Sequence, residues 1–82
     1  MTHAFLVTIR RKPGLSDPEG TTTKKALTNL GFRNVDHVSF GRIITIETEA
    51  SDAADALAEV EAMCVKLLAN PVMETYTIEA IT

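Results

Sequence analysis

The sequence predicts an α+β fold, with two helices on one face of a small, mostly antiparallel sheet. Three observations carry that prediction. Residues 3–11 and 72–81 alternate apolar and polar side chains with period two. Residues 53–68 carry an apolar stripe at helical spacing. Proline and glycine at 12–20, and Asn70-Pro71, stop one kind of element and start another. The 82 residues read as one domain, 1–82. A domain of this size buries only ~60% of its unfolded surface and is marginal alone.

In the first strand, Phe5, Val7 and Ile9 share a face, with Thr8 and Arg10 opposite and Leu6 an apolar exception on the wet side. Pro13 removes a backbone donor and Gly14 accepts positive φ, so the strand ends there. Asp17 then caps a helix, Pro18 suits its first position, and Glu19 sits where the helix dipole favours negative charge. The helix covers 18–30 with a narrow stripe of Ala26, Leu27 and Leu30. Gly31 supplies a left-handed C-cap, and Phe32 is placed to pack back on it.

Residues 35–49 read as strand, and two arrangements compete. One is a single long strand bent or bulged at Gly41, which groups Val38, Phe40, Ile44 and Ile46 and misplaces only Ile43. The other is a hairpin turning at Gly41-Arg42, which would make a βαββαβ unit. The long strand is preferred because it keeps four large apolar residues together. Ser51 or Asp52 caps the second helix, whose stripe is Ala53, Ala56, Leu57, Val60, Met63, Cys64, Leu67 and Leu68. Leu57, Val60, Cys64 and Leu67 are expected in the core. Asn70-Pro71 stops this helix, and the last strand places Tyr76, Ile78 and Ala80 on one face. Leu6, Ile43 and Ile81 fall on the sheet face that no helix covers. They are the candidate oligomer-interface residues, since exposed apolar patches usually mark contacts.

Eleven acidic against eight basic residues give a formal net charge of −3, which argues against a nucleic-acid module. One cysteine, no apolar run of the ~20 residues that span a bilayer, and an N-terminus without signal-peptide character predict a cytoplasmic protein. His3 and His37 have no Cys or His at metal spacing, and Cys64 sits inside an apolar stripe as an inert small hydrophobe. No nucleophile elbow, phosphate loop or catalytic carboxylate pair is present, so no catalytic, cofactor-binding or metal-binding residue is assigned. The residues that invite a functional reading lie in the long proline-bearing loop and at the second helix stop. They are Lys12, Pro13, Gly14, Asp17, Pro18, Gly20, Asn70 and Pro71.

Several of these pieces occur together in a known family. Lys12-Pro13-Gly14 with Asp17-Pro18-Glu19-Gly20, Leu30-Gly31-Phe32, Val38-Ser39-Phe40-Gly41-Arg42, and the run from Met63 to Glu74 resemble the PurS family. These are small subunits of phosphoribosylformylglycinamidine synthase. The resemblance covers nearly the whole chain, in order. It implies a ferredoxin-like homodimer, or a dimer of dimers, with no active site of its own. It also implies a role joining a glutaminase subunit to a synthetase subunit in the purine-pathway complex. That complex makes formylglycinamidine ribonucleotide from formylglycinamide ribonucleotide, ATP and glutamine. ATP and Mg then belong to the synthetase subunit and no cofactor to this chain. Two rivals stand beside it: a small-molecule-binding regulatory module of the two-layer α+β class, and an enzyme using Cys64 or His37.

Overall fold

A computed structural model describes residues 1–81. The fold class is the predicted one. Strands β1 (Thr2–Arg11), β2 (Gly41–Glu49) and β3 (Glu74–Ala80) form an antiparallel sheet in the order β2-β1-β3, with helices α1 (Pro18–Asn29) and α2 (Ala53–Met63) in the connections. The central strand is the most apolar one, as a strand paired on both edges should be. Its Phe5, Val7 and Ile9 are buried, flanked by Ile46 and Ile44 on β2 and by Ala80, Ile78 and Tyr76 on β3. Helix α2 closes this face with Ala56 and Val60, continued by Cys64 and Ala69, and Leu68 packs against the cluster.

The caps follow the sequence. Asp52, not Ser51, caps α2, accepting from the Asp55 N–H at 2.8 Å. At the end of α1, Gly31 takes φ +104°. The N–H of Phe32 donates to the Leu27 carbonyl and that of Gly31 to the Thr28 carbonyl, a Schellman motif.

Three expectations are corrected. First, β2 begins at Gly41 and pairs in unbroken register from Arg10–Gly41 to Thr2–Glu49, so there is neither a hairpin nor a bulge there. Residues 35–40 carry the strand pattern but have no strand beside them. Second, α2 widens into a π-helical turn at Cys64–Leu68, where the Ala69 N–H reaches the Cys64 carbonyl at 3.0 Å. The extra residue in that turn keeps Cys64 and Leu68 facing inward and leaves Leu67 82% exposed. Leu57, at the margin of the stripe, is exposed as well. Third, α1 buries only Gly20, and Leu30 is 74% exposed.

The third correction shows in the shape. The radius of gyration is 16.5 Å and the extents are 52 × 25 × 14 Å. A compact chain of this length would have a radius near ~12 Å. Helix α1 and residues 36–40 run side by side as an arm off the end of the sheet where β1 finishes and β2 begins.

Ile9→Ala, in the fully buried row, should cost ~2–5 kcal/mol in urea unfolding. Leu67→Ala should stay within about 0.5 kcal/mol, as exposed positions do. Equal losses at the two sites would contradict the outward placement of Leu67.

Candidate functional site

The loop between β1 and α1 is held at both ends. Lys12 donates its backbone N–H to the Met73 carbonyl at 2.9 Å, and Gly14 turns the chain with φ +84°. Asp17 then does two things with one carboxylate. Its Oδ1 accepts from the Gly20 N–H at 2.9 Å, capping α1, and its Oδ2 accepts from the Phe40 N–H at 2.8 Å. The start of the helix is thereby tied to the segment leading into β2. Gly20 permits the approach, since a Cβ there would lie 2.0 Å from the Val38 carbonyl oxygen. The Gly20 hydrogen bond, then the Phe40 one, hold the Asp17 carboxyl below its ordinary range, with the charges of Arg11 and His37 acting the same way.

The Asn70-Pro71 corner is built the same way. The Asn70 side-chain oxygen accepts from the Val72 N–H at 3.0 Å, and its backbone carbonyl accepts from Met73 and Glu74 at 3.2 and 2.8 Å. Glu74 returns the bond, its Oε1 accepting from the Asn70 N–H at 2.8 Å. Arg42 then reaches across β1 from one edge strand to the other. Its guanidinium donates to both carboxylate oxygens of Glu74, at 3.0 and 3.1 Å, and to the Leu68 carbonyl at 2.9 Å. This fork matches guanidinium to carboxylate and also satisfies an orphan carbonyl at the helix end. The Asn70 bond first, then Arg42, keeps the Glu74 carboxyl below its usual value.

The two corners meet. Lys12 Nζ donates to the Pro71 carbonyl at 2.8 Å. A cleft of about 270 Å³ lined by Arg11, Asp17, Phe40, Arg42 and Glu74 joins the α1 end to the Asn70 end. Lys12, Pro13, Gly14, Asp17, Pro18, Asn70 and Pro71 therefore lie at one end of the sheet, while Gly20 is buried beneath them against Val38. Sequence reasoning missed Arg42 and Glu74, which fasten this end. Both stood within the motif pieces, and their opposite charges were the available signal.

The other candidates lie elsewhere. Leu6, Ile43 and Ile81 do share the open sheet face, on a diagonal line. Thr45 and Glu79 are the cross-strand neighbours of Leu6, and Thr8 is that of Ile43, so polar groups interleave with them. Cys64 is fully buried in the core, where burial and the nearby Glu61 push its thiol up, away from the reactive thiolate. His37 lies exposed on the arm.

Known proteins resemble the chain along its full length. The family model described as "PurS: Phosphoribosylformylglycinamidine (FGAM) synthase" matches residues 4–82. The chain belongs to the PurS family. The PurS subunit of Archaeoglobus fulgidus is 47% identical over 72 residues, spanning 88% of this chain and 90% of that one. That of Methanocaldococcus jannaschii is 45% identical over 73 residues, spanning 89% and 88%. A chain in the PurLQS structure from Thermotoga maritima superposes with TM-score 0.90 at 27% identity, covering 99% of both chains. Bacillus subtilis PurS does so with 0.84 at 31% identity, covering all of both. The PurS-family chain is thus of a kind with subunits of FGAM synthase.

Because the Asp17 and Glu74 carboxyls titrate below their ordinary range when folded, the unfolded chain binds their protons first as pH falls. Their stabilisation is present above about pH 4 and is lost as pH drops through the depressed folded values. Melting temperature measured from pH 7 to pH 2 should fall along an acid limb. Asp17→Asn and Glu74→Gln should each flatten that limb, and an unchanged limb in both would remove these groups as its source.

Proposed function

We propose that this PurS-family chain is a non-catalytic assembly subunit of FGAM synthase, joining the glutaminase subunit to the ATP-dependent synthetase subunit. In this reading the complex converts formylglycinamide ribonucleotide, ATP and glutamine to formylglycinamidine ribonucleotide in the cytoplasm. ATP and Mg act on the synthetase subunit, and this chain, as one domain, takes no cofactor. It works as a homodimer or dimer of dimers, presenting the same surface more than once, with Leu6, Ile43 and Ile81 of the open sheet face supplying one contact between copies.

The observation that supports this best is the joining of the 12–20 loop to the Asn70-Pro71 corner by Lys12, with Arg42 and Glu74 behind. Two proline corners locked to each other form an exposed surface that loses little conformational freedom on docking. The related PurLQS structure concerns an assembly of this kind. The regulatory-module alternative is not favoured, since the relatives above are synthase subunits. Among the described residues, no helix is long and apolar enough to cross a membrane.

The test is reconstitution with the two larger subunits. The isolated chain should show no glutaminase, ATPase or ligase activity, and adding it should restore glutamine-dependent amidine formation. Synthesis driven by ammonia should depend on it much less. Replacing Pro13 and Pro18 together by alanine should keep the oligomer mass but weaken the complex and lower the glutamine-dependent rate. Glutamine-dependent synthesis that proceeds equally well without this chain would reject the assembly role.

A further inference from the structure

The open face of the sheet is divided by charge. Glu47, Glu49 and Glu79 stand toward one end, opposite Ala4, Thr2 and Leu6 of β1. At the other end β1 runs into Arg10-Arg11-Lys12, three of the eight lysines and arginines in a chain whose net charge is −3. The period of two along a strand separates these three. Arg11 falls on the inner face with Ile9, and its charge acts on the Asp17 and Glu74 carboxyls. Arg10 falls on the open face with Thr8. Its partner across the ladder to β2 is Gly41, which has no side chain to cover it. Among the described residues, Arg10 makes no side-chain hydrogen bond or ion pair. Lys12 donates to the Pro71 carbonyl, a neutral acceptor that leaves its charge uncompensated.

A cleft of about 310 Å³ opens beside these two cations. Arg10 and Lys12 stand on one wall, and His37 and Ser39, on the segment that leads into β2, stand on the other. Among the described residues, neither the His37 imidazole nor the Ser39 hydroxyl makes a hydrogen bond. Asp17 is the one acidic residue lining the cleft, and both its oxygens are already taken by the Gly20 and Phe40 N–H groups. Leu15 and Phe40 line the same cleft, 43% and 41% exposed, and give it an apolar rim. Unused donors on both walls, two cationic groups and no available carboxylate describe a site for an anion. A few convergent polar groups beside an apolar wall are what a small-molecule site needs, and such sites begin at about 300 Å³.

We propose that this cleft binds the phosphate group of a small phosphate monoester, with Arg10 and Lys12 on one side of the phosphate, His37 and Ser39 on the other, and the body of the molecule against Leu15 and Phe40. The placement of the donors favours phosphate over a carboxylate. A carboxylate is planar with two oxygens, and a single guanidinium fork fills it. A tetrahedral phosphate monoester presents three strong acceptor oxygens and accepts from both walls at once. The site is built from side chains and not from a glycine-rich backbone loop, so no phosphate-loop motif marks it in the sequence. It adds a ligand site to a subunit of the FGAM synthase kind, which differs from the stand-alone regulatory module set aside above. The inference goes beyond the assembly reading and does not depend on it, since binding is measured on the chain by itself.

Titration of the isotope-labelled chain with adenosine monophosphate, inorganic phosphate and adenosine, followed through its amide resonances, tests it. Adenosine monophosphate at millimolar concentration should move the resonances of Arg10, Lys12, His37 and Ser39 and leave those of α2 in place. Inorganic phosphate should move the same resonances more weakly, because it has no body to set against Leu15 and Phe40, and adenosine should move none of them. Arg10→Gln changes an exposed residue, so it should keep the melting temperature and oligomer mass while weakening adenosine monophosphate binding at least about tenfold. His37→Gln should act in the same direction. Lys25→Gln removes the same charge from α1, outside the cleft, and should leave binding unchanged, which separates a site from general attraction of anions. No shift with either phosphate compound overturns the proposal, as does an Arg10→Gln chain that binds with wild-type affinity. Adenosine that binds as tightly as its monophosphate overturns the phosphate assignment, and inorganic phosphate that binds as tightly overturns the monoester one. If an oligoglutamate peptide moves these resonances and adenosine monophosphate does not, the cleft receives an acidic protein segment and the proposal fails. Reconstitution with the larger subunits is a separate readout, so failure here leaves the assembly reading standing.

Discussion

The carboxylate of Asp17 holds two parts of the chain that would otherwise be separate. One oxygen caps α1 and the other receives the Phe40 N–H just before β2 begins. Helix α1 has almost no buried side chains, so packing cannot orient it. Its direction is set instead by this shared acceptor, by the close approach of Val38 to Gly20, and by Lys24 reaching the Asp36 carbonyl. An acidic group with backbone donors on both oxygens is a strong, charge-assisted joint. It also explains why this half-buried carboxylate titrates low.

At the same end of the sheet, Arg42 and Glu74 join both edge strands to the end of the second helix. The pair is partly exposed, so its contribution to stability is modest. Its value is geometric. The π-helical turn, the Asn70-Pro71 corner and the 12–20 loop all depend on groups that Arg42, Glu74 and Lys12 satisfy. A surface assembled this way keeps its shape without a large core beneath it.

The core itself is thin. One helix covers three strands, and the fully buried side chains come down to a single row of β1 and the inner line of α2 with its π-helical turn. Among the described residues only the 36–40 segment lies against α1, and Leu30 and Phe32 at its end stay in water while the chain stands alone. For a domain of this size, pairing between copies is the ordinary remedy.

The sequence by itself determined which elements occur, in what order, and where the two helices are capped. Alternation marked β1 and β3, the helical stripe found Val60 and Cys64, and Asp17, Asp52 and Gly31 were readable as caps. The caps rest on hydrogen bonds within a few residues, and the alternation and the stripe on the period of the element itself, so the local pattern suffices. The family, too, was legible, because its motif pieces are local. What only the tertiary structure decided depends on which elements meet. The pattern at 35–40 is that of a strand, yet a strand needs a neighbour, and the fold places none beside it. Leu67 fits the helical stripe, yet the wider π turn displaces it from the core. Arg42 and Glu74 stand far apart in sequence and join only because β2 and β3 flank the same strand. Periodicity reports which way a side chain faces along its own element. It carries no information about whether another surface is there to receive it.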